Sequence, residues 1–410
     1  MGDPAHPALS KLRPISRIAA ALFLANAMTA HAAQDMTATL PDPPHVAATD
    51  AAMKLPMSAP VAAKDVIGQV NRIGSPQGIA ELRKLRINGI DQWISIRGKD
   101  RRNPVLLFLH GGPGYTMMPA AWAWQAPFED FFTVVQWDQR GAGKTFLAND
   151  PQAVAPTMKF DTMVDDGIAL IEQLRLMTGQ RKIFLIGHSW GSSLGLYMAA
   201  RRPDLLYAYI GAGQAVDGDR SLAATAAEVE ALARAANDTT VADALAGINR
   251  DPASISRNAG LINRYARYYG GMIYDPAARD ADSLSVTYRN LVRASPDYTA
   301  EEQEAWLKGV RFSVEHLNGQ SDRVDRDAPK VIKVPLLLLV GEHDLITNHR
   351  VADQWFAAIR APVKKKVSLP DAAHMMFTEQ PGLILRSLLD FSEPIMRKQT
   401  GYRTWPGFSK

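Results

Sequence analysis

The sequence predicts an α/β protein in which helices flank a mostly parallel sheet and a helical cap is inserted late in the chain. Three observations carry this expectation. Continuous apolar runs recur and stop at glycine-containing loops: "PVLLFLHGGPG" from Pro104, "FFTVVQWDQRG" from Phe131, "RKIFLIGHSWG" from Arg181, "LYAYIGAG" from Leu206 and "KVPLLLLVGEHD" from Lys333. Such runs suit strands covered on both faces, the environment of a parallel sheet. Helical patterns alternate with them, as in "FDTMVDDGIALIEQLRLMTG", "SSLGLYMAARR" and the late "EQPGLILRSLLDFSEPIM", and that alternation argues for parallel pairing. From Asp217 to Lys333 the rhythm breaks: no strand-like run occurs, and good helix formers such as "SLAATAAEVEALARAA" take its place.

In chain order, residues 1–32 read as a signal peptide. The basic Lys11, Arg13 and Arg17 precede the apolar "IAAALFLANAM", and Ala30-His31-Ala32 offers small residues around a cleavage point near Ala32 or Ala33. That apolar run is about 11 residues, too short for a hydrocarbon core of about 30 Å, so a periplasmic or secreted protein without a stable membrane anchor is expected. Residues 33–65, rich in Ala, Pro and Thr without a period, read as a flexible leader. Residues 66–216 form the first part of the core and open with the alternating runs "LRKLRING" and "QWISIRG", a hairpin pattern. The cap occupies 217–333 and the second part of the core 334–410.

Of the 410 residues, 47% are hydrophobic and 21% charged, the balance of a soluble globular chain with a sizeable core. The formal charge of +4 falls to about +2 without the first 32 residues, and no basic stripe carries interleaved aromatics, so nucleic acid is not an expected partner. The absence of cysteine excludes disulfides, thiolate-bound metals and lipid attachment through an N-terminal Cys.

Two segments invite a chemical reading. "WDQRGAGKTF", Trp137 to Phe146, contains a GKT, yet the first glycine of a phosphate-binding loop is replaced by Asp138, whose charge would repel the ligand. The following "FLANDPQ" has no apolar periodicity and ends in proline, so no helix is expected there to supply an anion-binding N-terminus. "GHSWG", Gly187 to Gly191, is a G-x-S-x-G motif with the strand-like "KIFLI" before it and the helical "SSLGLYMAARR" after it. That context puts Ser189 on a sharp turn as a candidate nucleophile.

A nucleophilic serine needs a base, and the base an orienting acid, in the chain order Ser, acid, His. At the end of the strand in "LLLLVGEHD" stand Glu342 and Asp344, and Asp344, lying past the strand end, is the better acid. Of the histidines beyond it, His349 follows too closely to come round from another strand end, which leaves His374 as base, after "KKKVSLPDAA". The oxyanion of an acyl transfer needs two donors: the N–H of Trp190, following the nucleophile, and that of Gly112 in "LHGGPG".

"HGGPG", "DQRGAGKT", "GHSWGSSLG", "GEHD" and "AAHMMFTEQP" together resemble the proline iminopeptidase (prolyl aminopeptidase) branch of the α/β-hydrolase fold, over residues 75–215 and 333–395. The resemblance implies an α/β-hydrolase fold and an aminopeptidase-like serine hydrolase acting on a small molecule or short peptide. It implies bracing roles for Asp138 and Arg140, with Lys144 and Thr145 incidental on the surface. The cap departs from the family, whose members hold the substrate amine with acidic, tryptophan-rich motifs. In "RYARYYGGMIYD" and "EEQEAWLKGVRFSVEHL" no such motif aligns, leaving Glu315 as the one candidate amine-binding carboxylate. Tyr269, with Tyr265, Tyr268 and Tyr274, either lines a substrate pocket or packs the cap. An esterase, lactonase or non-peptide amidase with the same triad is the alternative, and an inactive binding protein on the same scaffold the minor one. No histidine–carboxylate cluster has metal-ligand spacing, and no cofactor is expected.

Overall fold

The computed structural model describes residues 61–274, 283–317, 320 and 328–400. The signal peptide, residues 33–60 of the leader and the last ten residues of the second core segment lie outside the described residues. The described chain opens with a helix, α1 (Ala63–Val70), none of whose residues is buried. The sequence reading placed no helix there, because the residues before it carry no periodic pattern.

The expected hairpin is β1 (Ile79–Ile87) against β2 (Ile90–Gly98), paired antiparallel along its whole length. The apolar runs become β3 (Val105–Leu109), β4 (Thr133–Asp138), β5 (Ile183–His188), β6 (Leu206–Ala212) and β7 (Leu336–Gly341), and every residue of these five strands is buried. The last strand is β8 (Lys364–Leu369). Together they form one eight-stranded sheet in the order β1-β2-β4-β3-β5-β6-β7-β8, parallel from β4 to β8.

Burial on both faces shows in the alternation along β3. Val105, Leu107 and Leu109 join the core on one side of the sheet, and Leu106 and Phe108 the core on the other. After β4 come α2 (Gly143–Leu147), α3 (Pro151–Val154) and α4 (Phe160–Thr178), and after β5 comes α5 (Trp190–Arg201). The long α4 and α5 close the first face through Leu170, Leu174 and Leu194.

Between β6 and β7 the described elements are all helical: α6 (Gly218–Ala235), α7 (Thr239–Ala246), α8 (Pro252–Arg257), α9 (Ala259–Tyr268), α10 (Ser283–Arg293) and α11 (Ala300–Leu317). After β7 follow α12 (His349–Ala358), α13 (Met376–Glu379) and α14 (Pro381–Thr400), the last closing the second face through Leu388 and Phe391.

The GKT segment differs from the expected surface loop. A helix does begin there, the five-residue α2, and Lys144 and Thr145 are buried rather than surface residues. The Thr145 hydroxyl donates to the Asp138 carbonyl at 2.6 Å and accepts the Trp93 amide at 2.9 Å. Lys144 meets Glu302 of α11 at 2.5 Å and lies over the rings of Tyr298 and Trp93. The Asp138 carboxylate takes the Lys144 amide at 2.7 Å, together with the hydroxyls of Thr116 and Tyr298. Burial pushes its carboxyl up to about 6 despite these donors. The anion at this helix N-terminus is therefore the chain's own side chain.

Candidate active site

The chain visits β3, moves to β4 on one side, then returns to β5 on the other, so β3 and β5 flank a point where strand order reverses. Open α/β sheets bind ligands beyond the C-terminal strand ends at such a point. Four loops meet there: "HGGPG" after β3, "GHSWG" after β5, the Asp344 loop after β7 and the His374 loop after β8.

Ser189 sits between β5 and α5 at φ 56° and ψ −128°, a conformation that costs a side-chain-bearing residue energy. The turn survives because its surroundings leave no alternative. A Cβ on Gly191 would lie 2.3 Å from the Leu109 carbonyl oxygen and 2.5 Å from that of His110, so α5 begins hard against the end of β3. Asp344 and His374 reach Ser189 from their own strand ends. The Ser189 Oγ lies 2.9 Å from His374 Nε2, and His374 Nδ1 lies 2.9 Å from Asp344 Oδ2.

The surrounding donors fix the proton positions. Asp344 Oδ1 accepts the amides of Ile346 and Thr347 at 2.9 and 3.0 Å, and Oδ2 accepts the Thr347 hydroxyl at 2.9 Å. Burial raises the Asp344 carboxyl, but the adjoining His374 and these donors outweigh it and hold the group below the usual carboxylate range. An ionised Asp344 keeps the His374 proton on Nδ1, so Nε2 is free to accept from Ser189. The His188 ring lies tilted against that of His374, and its Nε2 lies 2.8 Å from the His374 carbonyl, which can only accept; the proton is therefore on that nitrogen. Burial, aided by His374, lowers the His188 ring to about 3, so it stays neutral and braces the loop without competing for the proton.

Gly112 adopts φ +118°, and a Cβ there would lie 2.6 Å from the Tyr115 amide, so the turn requires glycine. Neither the Gly112 amide nor the Trp190 amide, the first of α5, donates to another described residue. The constellation can transfer the Ser189 proton to His374 during attack on an acyl carbon, with two amides free to meet the oxyanion.

Above it lies a cavity of about 260 Å³ whose wall includes Gly111, Gly112, Ser189 and His374 from the core and Asn263, Arg267 and Met272 from the cap. Both substrate residues expected from the sequence stand elsewhere. Glu315 is exposed on α11, away from the wall. Tyr269 donates to Asp238 at 2.9 Å and packs in the cap core with Tyr265, so it belongs to the packing alternative. His349, set aside in the sequence, faces Glu228 at 3.3 Å. The sequence reading passed over Asn263, Arg267 and Tyr115; the one available hint was that Asn263 and Arg267 are four apart in a helical pattern and so share a face.

Residues 104–381 match the model of the alpha/beta hydrolase fold family. The chain belongs to that family. It is 30% identical over 319 residues to the probable aminopeptidase YbaC of Bacillus subtilis (strain 168), covering 77% of this chain and 97% of that one. It is 26% identical over 289 residues to a proline iminopeptidase of Neisseria meningitidis serogroup B, covering 66% and 83%. The solved proline iminopeptidase of Mycobacterium smegmatis superposes with a TM-score of 0.50 at 19% identity, covering 77% and 98%. Within its family the chain is a proline iminopeptidase-like hydrolase.

Proposed function

We propose that the protein is an exported serine hydrolase that cleaves an amide or peptide bond of a small substrate through an acyl-enzyme. The observation that carries this reading is the Ser189–His374–Asp344 relay, with both links at 2.9 Å. Ser189 attacks the acyl carbon as His374 takes its proton, and Asp344 stabilises the resulting imidazolium. The amides of Gly112 and Trp190 hold the oxyanion, each worth about 3–4 kcal/mol in a comparable site. His374 then protonates the leaving amine, and water attacks the acyl-enzyme by the reverse sequence to release the acid and restore Ser189. Relatives named as a probable aminopeptidase and a proline iminopeptidase support a short peptide or amino-acid amide as the substrate of this protein.

A second reading, an ester, lactone or non-peptide amide hydrolase, is supported by the cavity wall. Among the described residues that wall presents a cation, Arg267, and no carboxylate to hold a substrate amine. Export rests on the sequence of residues 1–32 and would be tested by the N-terminal residue of protein recovered from periplasm and medium.

The deciding experiment is hydrolysis of a prolyl anilide with a free amine, beside its N-acylated form and a simple acyl ester. Ser189→Ala should lower turnover by on the order of 10⁴-fold or more and abolish labelling by a fluorophosphonate. Undiminished turnover in that variant would end the serine reading. Turnover of the ester alone would replace the aminopeptidase reading with the second one.

A further inference from the structure

The cap closes the cavity with one face of α9. Asn263 and Arg267 lie one helical turn apart on it, and both line the space above Ser189. The end of α9 is held in place. In the turn that follows, the Gly271 carbonyl accepts the Leu345 amide at 3.3 Å and the Met272 carbonyl accepts the Met375 amide at 2.9 Å. Those two partners directly follow Asp344 and His374, so the position of Arg267 is tied to the loops that carry the relay.

Among the described residues Arg267 meets no counterion. Elsewhere in the cap Arg220, Arg234 and Arg250 each meet a carboxylate. Arg267 forms no ion pair and donates no side-chain hydrogen bond among the described residues, although it fronts the cavity. Its neighbour across the space is Tyr115, whose ring is wedged against Tyr288 at 4.8 Å and Trp306 at 4.9 Å. Burial pushes the Tyr115 hydroxyl up to about 12, while the charges of Arg267 and Arg289 pull the other way, which places both guanidinium groups within electrostatic reach of it. The rest of the wall is largely apolar, with Met117, Ile346 and Met375. Arg267 is itself an exposed residue, and its guanidinium is a planar fork that suits a carboxylate and repels an ammonium group.

We propose that Arg267, with Asn263 beside it, determines specificity by binding a carboxylate of the substrate, so that the preferred substrates are short peptides or acylated amino acids with a free carboxylate near the scissile bond. This rests on the reading of Ser189 as nucleophile. In a dipeptide-sized substrate the leaving amino acid brings such a group, which reconciles an amide-cleaving relay with a cavity that carries a cation.

Two matched pairs test it. Acetyl-alanyl-glycine against acetyl-alanyl-glycinamide places the charge on the leaving group, and glutaryl p-nitroanilide against pentanoyl p-nitroanilide places it on the acyl side. In the wild type, kcat/KM for the carboxylate member of at least one pair should exceed its neutral partner by about 10- to 100-fold. Arg267→Met should bring that ratio close to one, Arg267→Lys should keep part of it, and Arg267→Glu should invert it. A purely structural role would lower both members alike and leave the ratio standing, which would overturn the proposal. Equal rates within both pairs in the wild type would overturn it too. If p-nitrophenyl acetate is still cleaved in a Ser189-dependent way, the failure belongs to the carboxylate assignment alone; if it is not, the serine reading fails with it.

Discussion

Replacing Arg140 by methionine should be among the costliest single changes in the core, although Arg140 touches neither the relay nor the cavity. Its guanidinium grips Asp166 of α4 with two hydrogen bonds, Nε at 2.7 Å and Nη2 at 3.0 Å, and the two side chains are 2% and 0% exposed. Removing one partner of a buried pair costs about 3–5 kcal/mol, because the other charge is left without compensation. The remaining hydrogen bonds decide where each variant falls in that range. Asp166 also accepts from Asn88 Nδ2 and Gln92 Nε2, both at 2.9 Å, so in Arg140→Met the carboxylate keeps two neutral donors and the loss should be about 3 kcal/mol. Asp166→Leu leaves the guanidinium charge uncompensated, although Arg140 keeps the Thr157 hydroxyl at 3.0 Å and the Asn88 carbonyl at 3.3 Å. It also strands the buried Gln92 amide, while the exposed Asn88 can turn to water; that one orphaned donor adds about 1–3 kcal/mol, so the loss should be about 5 kcal/mol. The double variant should lose about 2–3 kcal/mol less than the sum of the two single losses. Urea unfolding followed by tryptophan fluorescence is the assay, since the Trp137 indole donates to Gln92 at 2.9 Å and reports on this network. Single losses below about 1 kcal/mol, or losses that simply add, would refute the reasoning.

Two further outcomes follow from contacts near the relay. Glu379 accepts the amides of Tyr274 at 2.6 Å and Ala373 at 3.1 Å, yet burial pushes its carboxyl up to about 7. A group raised in the fold contributes stability below its ordinary value near 4.5 and loses that contribution as pH rises through about 7. The stability of the wild type relative to Glu379→Gln should therefore fall across that window by on the order of 3 kcal/mol, and a flat difference in urea midpoints would rule the argument out. Gly191→Ala forces a Cβ to 2.3 Å from the Leu109 carbonyl oxygen, a backbone atom that cannot yield cheaply. It should cost about 1–3 kcal/mol and slow fluorophosphonate labelling of Ser189, and a wild-type Tm with wild-type labelling would show that the elbow is looser than its packing implies.

The sheet was legible because its central strands have no wet face: uninterrupted apolar runs such as "VLLFL" have few alternatives to a doubly covered strand. The relay was legible because a strained serine turn writes its constraints locally, in Gly187 and Gly191, while chain order restricts the acid and base to a few strand ends. The cavity wall was not legible. Arg267 gains its place from the docking of the turn after α9 onto the loops of Asp344 and His374, and no local pattern encodes that. Lys144 was misread for the same reason, since the groups that make its burial tolerable, Glu302 and Tyr298, come from a part of the chain more than 150 residues away.

The GKT segment shows how far such distance can mislead. Asp138 stands where a phosphate-binding loop needs glycine, but the step from there to a surface loop without a helix does not hold, since α2 begins at Gly143 and Lys144 and Thr145 are buried. The amide at the start of α2 does point at an anion, and that anion is Asp138 itself. Because the same carboxylate takes the Thr116 hydroxyl from the loop that carries Gly112 and the Tyr298 hydroxyl from the segment leading into α11, one buried charge joins the oxyanion loop to the cap. Lys144, paired with Glu302 of α11 beside it, makes a second tie between core and cap. What the sequence presents as a defective nucleotide loop is, in the fold, the seat on which α11 rests above the candidate active site.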